Sequence, residues 1–141
     1  MILLDTNVVS ELMRLQPSQT VLDWFDKQDS ASLYFSAVSE AELRAGAAML
    51  PAGKRRDRLT AEIDAMIDED FSGRVLPFDS IAAKRYGEIA ALHRKARRPI
   101  MDADCQIAAI ARASGAAVAT RNVADFHGCG IPVIDPWKPI G

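Results

Sequence analysis

The chain has 141 residues, 49% of them apolar and 26% charged, the size and balance of one folded globular domain spanning residues 1–141. A formal net charge of −2 excludes a polycation that grips nucleic acid through bulk charge, leaving local basic patches or metal ions for that task. Asp5 interrupts the apolar start and no apolar run reaches the ~20 residues of a membrane span, so the chain reads as cytoplasmic, with neither secretory leader nor membrane anchor.

Taken in chain order, short apolar runs alternate with helical patterns. Strands are predicted at residues 2–5, 33–36, 74–78, 117–120 and 132–134, and Pro77 marks the third as an edge or a strand end. Helices are predicted at 8–14, 18–28, 37–50, 55–70, 80–98 and 103–113, and Gly115 stands where a helix C-cap glycine belongs. Cys105 and Cys129 are too few for a disulfide framework and read as buried thiols in a reducing compartment. The alternation predicts a three-layer α/β domain, with a mainly parallel sheet and helices on both faces.

In such sheets the working crevice lies at the carboxyl ends of the strands. Acids recur at that station: Asp5 after the first strand, Glu40 and Glu42 after the second, Asp102 and Asp104 on the helix feeding the fourth, and Asp125 after it. At about 100° per residue, Val38, Ala41, Ala45, Ala48 and Met49 form one arc of the 37–50 helix, predicted to pack inward. Glu42 borders that arc, whereas Glu40 points away and has Arg44 four residues on as a surface partner. On the 103–113 helix, Ile107, Ile110, Ala111 and Ser114 face inward with Asp104 beside them, and Asp102 reads as the N-cap. Thr6 or Asn7 is available to cap the first helix, which leaves Asp5 without a purely structural role.

Converging carboxylates repel one another, and a hard divalent cation such as Mg²⁺ or Mn²⁺ relieves that repulsion. His93 and His127 form no zinc-ligand pattern and read as surface residues. An acidic Mg²⁺ site in a crevice points to phosphate chemistry. There is no G-x-x-x-x-G-K-[ST] loop. A phospho-aspartyl enzyme would carry a second Asp where this chain has Asn7, so hydrolysis by an activated water fits better. A metal-dependent phosphatase and a non-catalytic interaction module remain alternatives.

The ordered set MILLDTNVVSEL, SAVSEAELRAG, DADCQIAAIA, VATRNVADF and PVIDPW resembles the PIN-domain ribonucleases, more narrowly the toxin half of type II VapBC toxin–antitoxin pairs. The resemblance implies a Mg²⁺-dependent endoribonuclease, usually a homodimer, held inactive by a VapB-type antitoxin and reaching DNA only through it. It matches Asp5, Glu42 and Asp104 to acids of the site and Asn7 to a polar companion. Asn122 stands where some relatives carry an acid, so Asp125 becomes the fourth, with Thr120 and Asn122 orienting the others. Asp5 and Asp104 are the direct metal ligands in this reading.

For the RNA, Arg121 reaches phosphate or pairs with a carboxylate. The basic run Arg94, Lys95, Arg97 and Arg98 precedes the Asp104 helix and either flanks the crevice or is a solvated helix end, as is the run Lys54, Arg55, Arg56 and Arg58. Trp24 and Phe25 are core or part of an antitoxin groove, and Trp137 packs over a sheet edge.

Overall fold

The computed structural model describes residues 1–139. Five strands, β1 (Ile2–Leu4), β2 (Leu33–Ser36), β3 (Val75–Leu76), β4 (Ala117–Ala119) and β5 (Val133–Ile134), form one sheet in the order β3-β2-β1-β4-β5. Every pairing is parallel. Six helices connect them: α1 (Thr6–Leu12), α2 (Gln19–Asp26), α3 (Ala37–Ala48), α4 (Lys54–Ala65), α5 (Ser80–Lys95) and α6 (Asp102–Ser114). No helix among the described residues is long and apolar enough to cross a membrane.

Alternation along the strands sorts side chains into two cores. Leu3 and Val118 face one cluster with Ile89 of α5 and Ile107 and Ile110 of α6. Leu4, Ala119, Leu33 and Phe35 face the other, with Val8, Val9 and Trp24 of α1 and α2. Trp24 is therefore a core residue. β1 lies at the centre, bonded to β2 and β4, and its carboxyl end meets that of β4, where the Asp5 N–H donates to the Ala119 carbonyl at 2.9 Å. β3 is an edge strand of two residues that stops before Pro77, whose ring nitrogen has no hydrogen to donate.

Helix ends explain most differences from the predicted bounds. The pattern through residue 98 predicts a longer α5, but Arg97 takes a left-handed φ of 55° and the Arg98 N–H donates back to the His93 carbonyl at 2.9 Å. This is a Schellman closure, the motif Gly115 forms after α6 with φ 68° and a 2.8 Å bond from the Ala116 N–H to the Ala111 carbonyl. The predicted 55–70 helix is α4 followed by a π turn, Met66–Asp70, closed by the Phe71 N–H on the Met66 carbonyl at 3.0 Å.

Three expectations about faces are corrected. On α3 the packed side is Ser39, Leu43 and Ala47, while Ala41, Ala45, Ala48 and Met49 face outward, Met49 being 81% exposed. The small residues of that stripe satisfied helical spacing without being the buried face. Asp102 does not cap α6: Met101 holds the extended N-cap conformation, and Asp102 is already helical, accepting from the Tyr86 hydroxyl at 3.1 Å. His93 is buried, with Nδ1 bonded to the Ile89 carbonyl at 3.0 Å, whereas His127 is exposed. Both cysteines are buried and free, as predicted.

Candidate active site

The first station is the junction of β1 and α1. Asp5 keeps an extended backbone (φ −69°, ψ 158°) and its Oδ1 accepts the Thr6 N–H at 2.8 Å, so Asp5 itself is the N-cap. Capping does not remove it from the crevice. Its Oδ2 accepts the Thr120 hydroxyl at 2.7 Å and the Asn7 amide at 3.2 Å. Thr120 is fully buried just past β4, and its Oγ1 also accepts from the Asn7 amide at 3.3 Å and the Asn122 N–H at 3.0 Å. The Arg121 N–H donates to Asn7 Oδ1 at 3.2 Å. These bonds tie the carboxyl ends of two neighbouring strands together and fix the orientation of one carboxylate.

The second station is α3. Glu42 is an exposed residue that borders the crevice, its Oε1 accepting the Thr6 hydroxyl at 2.7 Å. Glu40 instead pairs with Arg44 at 2.7 Å, as predicted for a surface acid. The third station is Asp104 on the first turn of α6. Asp5, Asn7, Glu42, Asp104, Arg121 and Asn122 line one open cavity of about 470 Å³. Asp125 sits outside that lining on the 3₁₀ turn Val123–Phe126, exposed but near enough to repel both Asp5 and Asp104.

Electrostatics carry the mark of crowding. Burial pushes the Asp5 carboxyl above its ordinary value, against the bonds from Thr120 and Thr6, and Glu42 and Asp125 push the same way. Asp104 is pushed up to about 6, first by burial and then by Asp5, Asp125 and Glu42. Carboxylates that are partly buried and raise one another in a cleft form an arrangement that a divalent cation would relieve. Among the described residues no three His, Cys, Asp or Glu side chains form a ready cage for a metal. Mg²⁺ does not require one: it is held by one or two carboxylates, retained waters and substrate phosphate oxygens. The Asp5 and Asp104 pair, all oxygen donors, fits that ion.

A family model described as a PIN domain matches residues 2–127. The chain is 44% identical over 139 residues to the VapC ribonuclease Y4jK of Sinorhizobium fredii, covering 99% of each. It belongs to the PIN-domain family, in its VapC branch. This PIN domain is also 47% identical over 138 residues to the plasmid stability protein StbB of Pseudomonas syringae pv. tomato, covering 98% of this chain and 99% of that one. The solved structure of FitAB bound to an IR36 DNA fragment is similar over 100% of this chain and 99% of that one, with a TM-score of 0.93 at 38% identity.

Two features of the cavity were not read from the sequence. Glu11 is buried beside it, its carboxyl held below the ordinary range chiefly by the Ser18 N–H at 2.9 Å, with Arg14 adding to the effect. Asn7, Glu11 and Arg14 recur at the three- and four-residue spacing of one helix face, a signal available in the sequence. Trp137 lies on the far wall beneath Arg121 and packs against the core around Leu4 and Ile134. Arg97 and Arg98 are elsewhere: they line a separate cavity of about 370 Å³ with Tyr86, His93 and Asp102.

Proposed function

We propose that this PIN domain is a Mg²⁺-dependent endoribonuclease, with Mn²⁺ a substitute, and the toxin of a toxin–antitoxin pair acting in the cytoplasm. The observation that carries this is the convergence of Asp5, Glu42 and Asp104 from three segments on one cavity, with the Asp5 and Asp104 carboxyls displaced upward. When bound, the ion supplies Lewis acidity toward the phosphate and lowers the pKa of an attacking water. Asp5, its carboxylate oriented by Thr120, Asn7 and the Thr6 N–H, and Asp104 would hold the ion. Glu42, tethered through one oxygen to Thr6, and Asp125 keep the pocket negative and orient the water. Thr120 and Asn122 support the clamp, and Arg121 faces the substrate.

Membership in the VapC family and the likeness to a named VapC ribonuclease support this reading over a phosphatase. Asp5→Asn and Asp104→Asn should each lower Mg²⁺-dependent RNA cleavage at least 100-fold, a loss of about 3 kcal/mol in transition-state stabilisation. Asn caps a helix as well as Asp does, so the Asp5→Asn protein should fold. Full cleavage by a folded Asp5→Asn protein overturns the assignment.

The antitoxin reading rests on a cavity of about 800 Å³ between α1, α2 and the π turn. Leu12, Met13, Phe25 and Met66 give it an apolar floor, and Asp26, Glu62 and Glu69 give it an acidic rim. An amphipathic helix with basic flanks fits such a groove. A VapB-type antitoxin would supply it and carry the contact with DNA, consistent with FitAB having been solved on a DNA fragment. The outward stripe of Ala41, Ala45, Ala48 and Met49 suits a second copy of the chain, in keeping with a homodimer. Arg97 and Arg98, away from the acids, are assigned to the RNA backbone beyond the cleavage point.

A further inference from the structure

The acid cavity has one aromatic wall. Trp137 is the aromatic side chain in its lining, and the Arg121 guanidinium carbon lies 5.1 Å from the indole centroid. The backbone sets both. Beyond β5, Asp135 turns the chain: its Oδ1 accepts the Trp137 N–H at 2.9 Å, and its carbonyl accepts the Lys138 N–H at 3.2 Å. The Thr120 N–H donates to the Ile134 carbonyl at 2.9 Å, so this turn is tied to the carboxyl end of β4. Arg121 is the next residue along, pinned through its own N–H by Asn7.

The cations of the cavity are not equivalent. Arg14 is spent on Glu11, 3.2 Å away. Arg121 is exposed and has no carboxylate within ion-pair distance among the described residues. Attracting a phosphate needs only a point charge, which a lysine supplies. A planar cation over an indole adds something else, a π surface that suits a nucleobase. A base paired and stacked inside a duplex does not offer its face to such a surface.

We propose that Trp137 and Arg121 form a nucleobase platform, taking the face of an unstacked base next to the scissile phosphate, so that these two residues help to select the cleavage position. The proposal rests on the ribonuclease reading for the word scissile, but its binding component is separable. Trp24 is buried and Trp137 is half-buried, so intrinsic fluorescence reports on Trp137 once the Trp137→Phe protein has supplied the Trp24 background.

The full chain is mixed with Mg²⁺ and a short single-stranded oligoribonucleotide, the same strand as a duplex, or an abasic strand of equal length, and emission is read before cleavage advances. The single strand should quench Trp137 emission severalfold more than the duplex or the abasic strand. Base stacking is worth about 1–3 kcal/mol per base. Arg121→Lys, which keeps the charge and loses the plane, should therefore raise KM for single-stranded RNA about fivefold to 100-fold. Its kcat should stay within about twofold and its preference among cleavage positions should flatten, with an unchanged melting temperature. Equal quenching by the abasic strand, or an Arg121→Lys protein with the parent's KM and cleavage pattern, overturns the platform. Cleavage without quenching removes the platform and leaves the nuclease; quenching without cleavage keeps the platform and removes the nuclease.

Discussion

Asp104→Asn should stabilise the metal-free protein while disabling it. The Asp104 carboxyl rises from an ordinary 3.8 to about 6 in the folded chain, and no hydrogen bond contributes to holding its charge. A shift of that size corresponds to about 3 kcal/mol against the ionised form at 1.36 kcal/mol per unit. The group is only half-buried, so solvent screening reduces the figure to about 1 kcal/mol. The sign follows from proton counting. Between about pH 4 and 6 the folded state binds more protons than the unfolded one, so stability falls as pH rises through that window and stays low above it. An amide cannot ionise and escapes the loss. In the presence of a chelator at pH 8, Asp104→Asn should melt about 3–5 °C above the parent, and at pH 4 the two should coincide. The assay is a pair of thermal melts at each pH. Equal melting at pH 8, or a variant less stable there, would refute burial, reinforced by the neighbouring carboxylates, as the cause of the displaced pKa.

Added Mg²⁺ or Mn²⁺ should raise the melting temperature at pH 8, since a ligand at 100 times its Kd stabilises by about 2.7 kcal/mol. The rise should shrink at pH 5, where a proton on Asp104 competes with the ion, and vanish in Asp5→Asn; differential scanning fluorimetry reads all three. Gly115→Ala should cost about 1–2 kcal/mol in chemical denaturation, because the residue sits at φ 68° and a Cβ there is strained even with open space around it. Cys105 and Cys129 should resist alkylation at pH 8 in the folded protein and react at once in denaturant, since burial pushes both thiols up, Cys105 to about 11.

Asp5 stood out because a carboxylate directly after a buried strand has little local use beyond a cap, and in the structure it caps α1 while also lining the cavity. Asp104 was legible from helical phase, since Ile107, Ile110 and Ala111 are long or buried enough to define an inward side. The same argument on α3 chose Glu42 through a false premise. Alanine and glycine populate both faces of that helix, so spacing carried no hydrophobic contrast, and the link that draws Glu42 inward is the hydroxyl of Thr6, 36 residues away in sequence. Glu11 shows its spacing to Asn7 and Arg14 in the sequence, but the Ser18 N–H that chiefly holds its charge is a backbone group, which no side-chain pattern advertises. His93 read as a surface group because its spacing hides that the carbonyl of Ile89, one turn earlier, satisfies the ring inside the core. The π turn after α4 depends on one displaced hydrogen bond and leaves no trace in composition.

The placement of β1 between β2 and β4 has a temporal side. The strand translated first cannot be enclosed until residues 117–119 emerge from the ribosome, and Asp5 is not clamped until Thr120 follows them. Pairings so distant along the polymer form slowly compared with local ones. A nascent chain that has not yet reached its fourth strand holds Asp5 and Glu42 but neither the Thr120 clamp nor a closed crevice.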